Sequence, residues 1–167
     1  EDSLWEFLQS GIKEAAEHFV EARVIEGENL RKDLIEKLDD MALLVSEIEK
    51  KSPEIIAEYK ARLYEKVNEL VSNAQIDEQR IATEVTIFAD KVCVDEEIVR
   101  LKSHIAGTKN ILLEGGAVGR KLDFIAQEMN REANTILSKS NSLDISDIGI
   151  NLKTEIEKVR EQIQNIE

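Results

Sequence analysis

The segment LRKDLIEKLDDMALLVSEIEK, residues 30–50, sets Leu30, Leu34, Leu38, Met41, Val45 and Ile48 at three- and four-residue steps with charged residues between them. That is the period of an amphipathic helix with one apolar stripe to bury. Toward the N-terminus, Trp5, Leu8, Ile12, Ala15, Phe19 and Ala22 extend the stripe, and Ser3-Leu4-Trp5-Glu6 has the form of a capping box. One long helix is therefore expected to reach about Lys50. Ser52-Pro53 offers an N-cap followed by proline at the first helical position. The chain is expected to turn there, with Ile56, Tyr59, Leu63, Val67 and Leu70 forming the stripe of a returning helix. Residues 1–75 thus read as a long antiparallel helical hairpin, coiled-coil-like, with its tip at the proline.

Residues 76–167 read as a further bundle of helices. Asp77 is placed to cap a helix through Ile81, Val85, Phe88 and Val92, and Asp95 starts or continues one through Ile98, Leu101, Ile105 and Leu112. Gly115-Gly116, a pair that readily takes positive φ, should end it. Another amphipathic helix is expected from about Val118 to Leu137, a loop over Ser138 to Ser142, and a last helix from about Asp144 to Ile166. No segment alternates with period two over a strand's length, so the fold class is all-α.

Composition narrows the function. The 167 residues include one cysteine, Cys93, so no internal disulfide is possible, and that thiol reads as a small buried apolar residue rather than a nucleophile. No secretion signal or uninterrupted apolar span is visible, so no membrane partner is expected and a reducing, cytoplasmic setting fits. The chain opens directly into helix without an initiator methionine, which leads to the expectation of a segment from a longer protein. A net charge of −13 argues against nucleic acid. The charge is uneven, however: residues 1–97 hold 12 Lys/Arg against 25 Asp/Glu, residues 98–139 hold 7 against 4, and residues 140–167 hold 3 against 6. Only the middle block is basic.

Three helical segments are dense in polar residues: Asp95-Glu96-Glu97 with Arg100 and His104, Gln127-Glu128 with Asn130-Arg131-Glu132 and Asn134, and Lys153 through Arg160-Glu161-Gln162. Glu128 and Glu132 lie one turn apart, about 6 Å between Cβ atoms, and can reach one hard cation. Such a pair is ordinarily a solvated surface feature, and acids at a helix start answer the macrodipole without further function. Glu97 and His104 are two turns apart, about 10 Å of rise, too far to chelate one ion unaided. The Gly115–Arg120 stretch lacks the strand and the Lys-Ser/Thr of a phosphate loop, and reads as a turn between helices.

These segments are also where the chain resembles the YicC/YloC family of bacterial proteins. The resemblance is carried by Arg23-Val24-Ile25-Glu26-Gly27 with Leu30, by Val94 to Glu97 with Arg100 to His104, by Val118 to Phe124, by Gln127 to Thr135, by Ser138-Lys139-Ser140, and by Lys153 with Arg160 to Glu167. It covers the whole chain, and the family's proteins carry an additional N-terminal region. The resemblance implies a divalent-metal-dependent endoribonuclease acting as a homo-oligomer, a hexamer, with links to stress responses and small-RNA turnover.

Roles for individual residues follow from chemical fitness. Glu128 and Glu132, joined from neighbouring helices by one or more of Glu26, Asp95, Glu97 and His104, with Glu26 and Asp95 the first choice, are expected to hold Mg²⁺ or Mn²⁺, which polarises a phosphate and activates water. Asn130 and Asn134 can orient ligands. Arg23, Arg100, Arg120, Arg131, Lys139 and Arg160 are expected to contact RNA phosphates. A second route uses His104 as general base on the ribose 2′-hydroxyl, with Arg100 or Arg131 stabilising the phosphorane. The alternative from a different class is a non-catalytic helical scaffold or adaptor that mediates oligomerisation or partner binding. It predicts that these polar residues scatter, whereas the nuclease predicts that they converge.

Overall fold

The computed structural model describes residues 2–70 and 77–166, with side chains from 5–69 and 77–166. Five helices follow one another: α1 (Asp2–Leu70), α2 (Glu78–Val92), α3 (Asp95–Glu114), α4 (Gly119–Lys139) and α5 (Leu143–Ile163). No strand occurs among the described residues, in line with the all-α expectation.

The expected turn at Ser52-Pro53 is not there. α1 is a single helix of 69 residues with Pro53 inside it. Local sequence favoured a cap, but tertiary packing overrides it: Ile48 and Ile55, on either side of the proline, are both buried in the core. Ion pairs also hold this stretch, Lys102 to Glu49 at 2.6 Å from α3 and Lys51 to Asp144 at 2.7 Å from α5. Pro53 itself is exposed, so its missing N–H and ring face solvent while the flanking turns remain anchored. The hairpin exists further along, between α1 and α2. Tyr59 stacks on Phe88 with ring centroids 3.7 Å apart, and the Tyr64 hydroxyl donates to the Glu78 carboxylate. The connection, residues 71–76, lies outside the described residues, as does the side chain of the expected Ser3 cap.

Four helices form the bundle, with the central part of α1 packed on α3 and α5, and α4 packed on the same two. All four contacts are antiparallel. Lys109 reaches Asp39 and Lys102 reaches Glu49 between α3 and α1, while Arg100 reaches Glu132 and Lys139 reaches Glu97 between α3 and α4. Leu34, Leu38, Met41, Val45 and Ile48 are wholly inaccessible, as are Leu101, Leu122, Met129, Ile136, Leu152 and Ile156. The stripe from Leu34 to Ile48 is the seam on which the bundle closes.

The expected punctuation is present. The Asp77 carboxylate accepts from the amides of Gln79 and Arg80 at 3.1 and 3.2 Å. Gly115 and Gly116 adopt φ of 73° and 89° and end α3. At Gly119 a Cβ would stand 2.5 Å from the carbonyl oxygen of Ile166, so only glycine lets the start of α4 lie against the chain that follows α5. Cys93 departs from expectation by being exposed, because it caps α2 rather than facing the core.

Every described residue from Trp5 to Asn29 is exposed, so the first part of α1 stands clear of the bundle as an arm about 37 Å long. Its apolar stripe has the spacing of the buried segment, yet the bundle's helices do not cover it.

Since the bundle, not local propensity, carries the helix through residue 53, Pro53→Ala should raise the unfolding free energy by about 1–3 kcal/mol in urea titrations. An unchanged or lowered midpoint would mean that the proline marks a genuine break.

Candidate functional site

α4 positions most of the candidate residues because it packs on two neighbours at once. Its core face is Leu122, Ala126, Met129, Ala133 and Ile136, all inaccessible to solvent. At about 100° per residue, this fixes Glu128, Glu132 and Lys139 on the α3 side, and Asn130 and Asn134 on the α5 side.

The α3/α4 seam carries two buried carboxylates whose side chains are 8% and 5% exposed, Glu97 and Glu132. Lys139 Nζ donates to Glu97 Oε1 at 2.8 Å and to the Cys93 carbonyl at 3.0 Å. Glu97 Oε2 is buried with no hydrogen-bond partner among the described residues. Glu132 Oε1 accepts from Arg100 Nη1 at 3.3 Å, and the other terminal nitrogen of Arg100 donates to Glu96. Arg100 is thereby held even more firmly in its charged form than usual, with the Glu132 hydrogen bond the largest cause. The antiparallel register that sets Arg100 beside Glu132 brings His104, the next turn of α3, to the level of Glu128, the preceding turn of α4. Both are half-buried.

Beside this seam, α4 and α5 enclose an open groove of about 580 Å³. Gln127, Asn130, Arg131, Asn134, Thr135 and Ser138 line it from α4, and Lys153 and Arg160 from α5. Hydrogen bonds fix the lining: Lys153 Nζ to Asn134 Oδ1 at 2.8 Å, Asn134 to Asn130 at 3.3 Å, and Asn130 to Glu157 beneath. Asp123 receives both Arg160 Nε at 3.1 Å and Gln127 Nε2 at 2.7 Å. The guanidinium of Arg131 is exposed and has no side-chain partner among the described residues. Among the described residues, three cations and no carboxylate line the groove of a strongly acidic chain. Such a surface favours an anion, and phosphate suits the fork of a free arginine.

The sequence-expected residues are only partly gathered. Glu97, Arg100, His104, Glu128, Glu132 and Lys139 share the α3/α4 seam, and Arg131 with Arg160 lines the adjacent groove. Arg23 and Glu26 do not join them within one chain. They line a separate groove of about 960 Å³ at the base of the arm, with Gly115, Gly116 and the residues after α5. Asp95 starts α3 and that groove borders its end, so Glu26 and Asp95 are separated by about 30 Å of helix. Among the described residues no three His, Cys, Asp or Glu side chains converge to hold an ion, so the expected set of Glu128, Glu132, Glu26 and Asp95 is not one site in a single chain. Lys139, expected on RNA, is turned inward onto Glu97, and Arg160 is held by Asp123. Arg120 remains exposed at the start of α4. Lys153, Gln127, Thr135 and Ser138 complete the groove without having been assigned roles from sequence. The steps 127, 131, 135 and 138 along one helix face are the signal that marks the last three.

The fold and the site together define an all-α module with a cation-lined face. Residues 48–167 match the family described as "Endoribonuclease YicC-like, C-terminal". A relative from Clostridioides difficile (strain 630), named "Probable endoribonuclease YicC", is 44% identical over 168 residues, covering 100% of this chain and 57% of the relative. One of the same name from Haemophilus influenzae is 38% identical over 166 residues, covering 99% of this chain and 57% of the relative. The chain belongs to the YicC family and spans somewhat more than half the length of these relatives.

Lys139→Met would leave the Glu97 carboxylate buried without its cation, and should cost about 1–3 kcal/mol in denaturant unfolding. Adding Glu97→Leu should recover most of that loss. Two losses that simply add would show that the pair does not fasten α3 to α4.

Proposed function

We propose that this chain is the RNA-holding and RNA-cutting part of an endoribonuclease, with the α4/α5 groove gripping the phosphate backbone and the α3/α4 seam beside it acting on the scissile bond. The groove's lining of three cations and no carboxylate carries this reading, and the names of the relatives support it. Arg131 supplies the open fork for a phosphate, and Lys153 adds charge from α5, with Arg160 held beside it by Asp123. Asn130 and Asn134, locked to each other and to Lys153, present fixed amides to the strand.

On the seam, Glu128 and Glu132 are the residues that would hold a divalent cation, Mg²⁺ or Mn²⁺. Such an ion commonly takes one or two carboxylates and completes its shell with substrate phosphates and water, so a pair one turn apart suits it without a larger protein cage. When bound it would supply a Lewis acid for the phosphate and an acidified water. Arg100 fixes the orientation of Glu132, and His104, at the level of Glu128, would take a proton from a nucleophilic hydroxyl. We further take the parent protein to be a cytoplasmic homo-oligomer, a hexamer. In it a neighbouring chain's Glu26 groove can complete what one chain leaves apart. Among the described residues no helix is long and apolar enough to cross a membrane.

A scaffold role draws support from one observation, the exposed arm with Trp5, Phe7, Leu8, Ile12 and Phe19. An arm that docks a partner is compatible with a nuclease face on the bundle.

With full-length protein, Mn²⁺ and a hairpin RNA, the Glu128→Gln/Glu132→Gln double substitution should lower the cleavage rate by at least about 100-fold at a temperature where circular dichroism shows the variant still folded. Cleavage at the parent's rate would remove the carboxylates from the mechanism. Product ends separate the two routes: a 5′-phosphate supports metal-activated water, and a 2′,3′-cyclic phosphate assigns the step to His104 and the 2′-hydroxyl.

A further inference from the structure

Phe124 is 63% exposed on α4 and is explained neither by the core nor by the seam. At about 100° per residue, Arg120, Phe124, Gln127, Arg131 and Ser138 fall on one outward stripe of that helix. All five are exposed. The residues one turn away from Phe124 are Arg120, Lys121, Gln127 and Glu128, so the ring stands alone among polar and charged side chains rather than in an apolar patch. The arm of α1 is the contrast, for there the exposed apolar residues are contiguous. A protein interface would gather apolar neighbours at its centre and thin out lysine, which this surface does not do. Arg120 and Arg131 have no side-chain partner among the described residues. They flank the ring at about 6 Å and 10 Å along the helix.

We propose that Phe124 is a base-stacking residue, and that the stripe from Arg120 to Ser138 is a track for unpaired RNA. The inference rests on the RNA-binding reading above and deepens it by naming the form of RNA. A lone aromatic between free cations matches what a single strand requires: a flat apolar face for one base, with charge to either side for its phosphates. A duplex keeps its bases stacked inside and offers such a ring nothing. Gln127 and the amides of Asn130 and Asn134 lie next along the helix, where the edge of a neighbouring base would meet them. Arg120 and Arg131 act on phosphates regardless of sequence, whereas Phe124 distinguishes paired from unpaired nucleotides.

The test is equilibrium binding of full-length protein to an unpaired RNA carrying 2-aminopurine and to a duplex of the same length, in Ca²⁺ to suppress cleavage, over a range of salt. Phe124→Ala should weaken binding to the unpaired RNA by about 5- to 100-fold and abolish the 2-aminopurine quench. Duplex binding and the slope of log affinity against log salt should stay unchanged. Phe124→Trp should restore both affinity and quench. Arg131→Ala, in contrast, should lower the salt slope for both RNAs by about 1. Unaltered unpaired-RNA binding by Phe124→Ala, or equal weakening for duplex and single strand, overturns the stacking assignment while leaving the RNA-binding reading in place. A parent protein that binds neither RNA overturns both.

Discussion

The burial of one face of α4 is the constraint from which the rest follows. Leu122, Ala126, Met129, Ala133 and Ile136 are wholly inaccessible, and nothing smaller than a rotation of the whole helix could redirect its other side chains. Helical geometry then divides the remaining surface into three strips. Glu128, Glu132 and Lys139 face α3, Asn130 and Asn134 face α5, and Arg120, Phe124 and Arg131 face outward. A carboxylate seam, a hydrogen-bonded amide row and a basic stripe are thus held in fixed relation by a single packed stripe. The stripe of α1 from Leu34 to Ile48 matters in the same way, because it backs α3 and α5 and keeps both flanks of α4 in place.

Electrostatics on these strips is arranged by neutralisation. Lys139 and Arg100 each meet a buried glutamate across the seam, which takes two positive charges away from the exposed surface and leaves the carboxylates tolerable inside. Arg131 and Arg120 have no side-chain partner among the described residues. The net charge of the chain misrepresents this face, because most of the acid lies on α1 and α2. A global count that argues against nucleic acid is compatible with a local surface of opposite charge.

Much of this was legible in the sequence, and the exceptions have physical causes. Helix periods, the Asp77 cap and the Gly115-Gly116 stop depend on local chemistry, and they appear where expected. Pro53 was misread because a serine-proline pair looks the same at a helix start as in a helix carried through by burial at Ile48 and Ile55. The arm of α1 could not be recognised as exposed, since its stripe repeats the spacing of the buried stretch and exposure depends on where other helices end. The Glu128/Glu132 pair could be read from spacing. The partners Glu97 with Lys139 and Arg100 with Glu132 could not, because they follow from the register of two helices far apart in sequence. Grouping Glu26 with Asp95 failed for the same reason: a rigid helix of 20 residues separates them.

The central claim is that the outward and α5-facing sides of α4 are where RNA lies. A structure of the full-length protein with an RNA made uncleavable by 2′-O-methylation tests it most directly. The account predicts backbone phosphates within hydrogen-bonding distance of Arg131 and Lys153, alongside the Asn130–Asn134 row. RNA bound elsewhere, with the α4/α5 groove filled by another part of the protein, would contradict it.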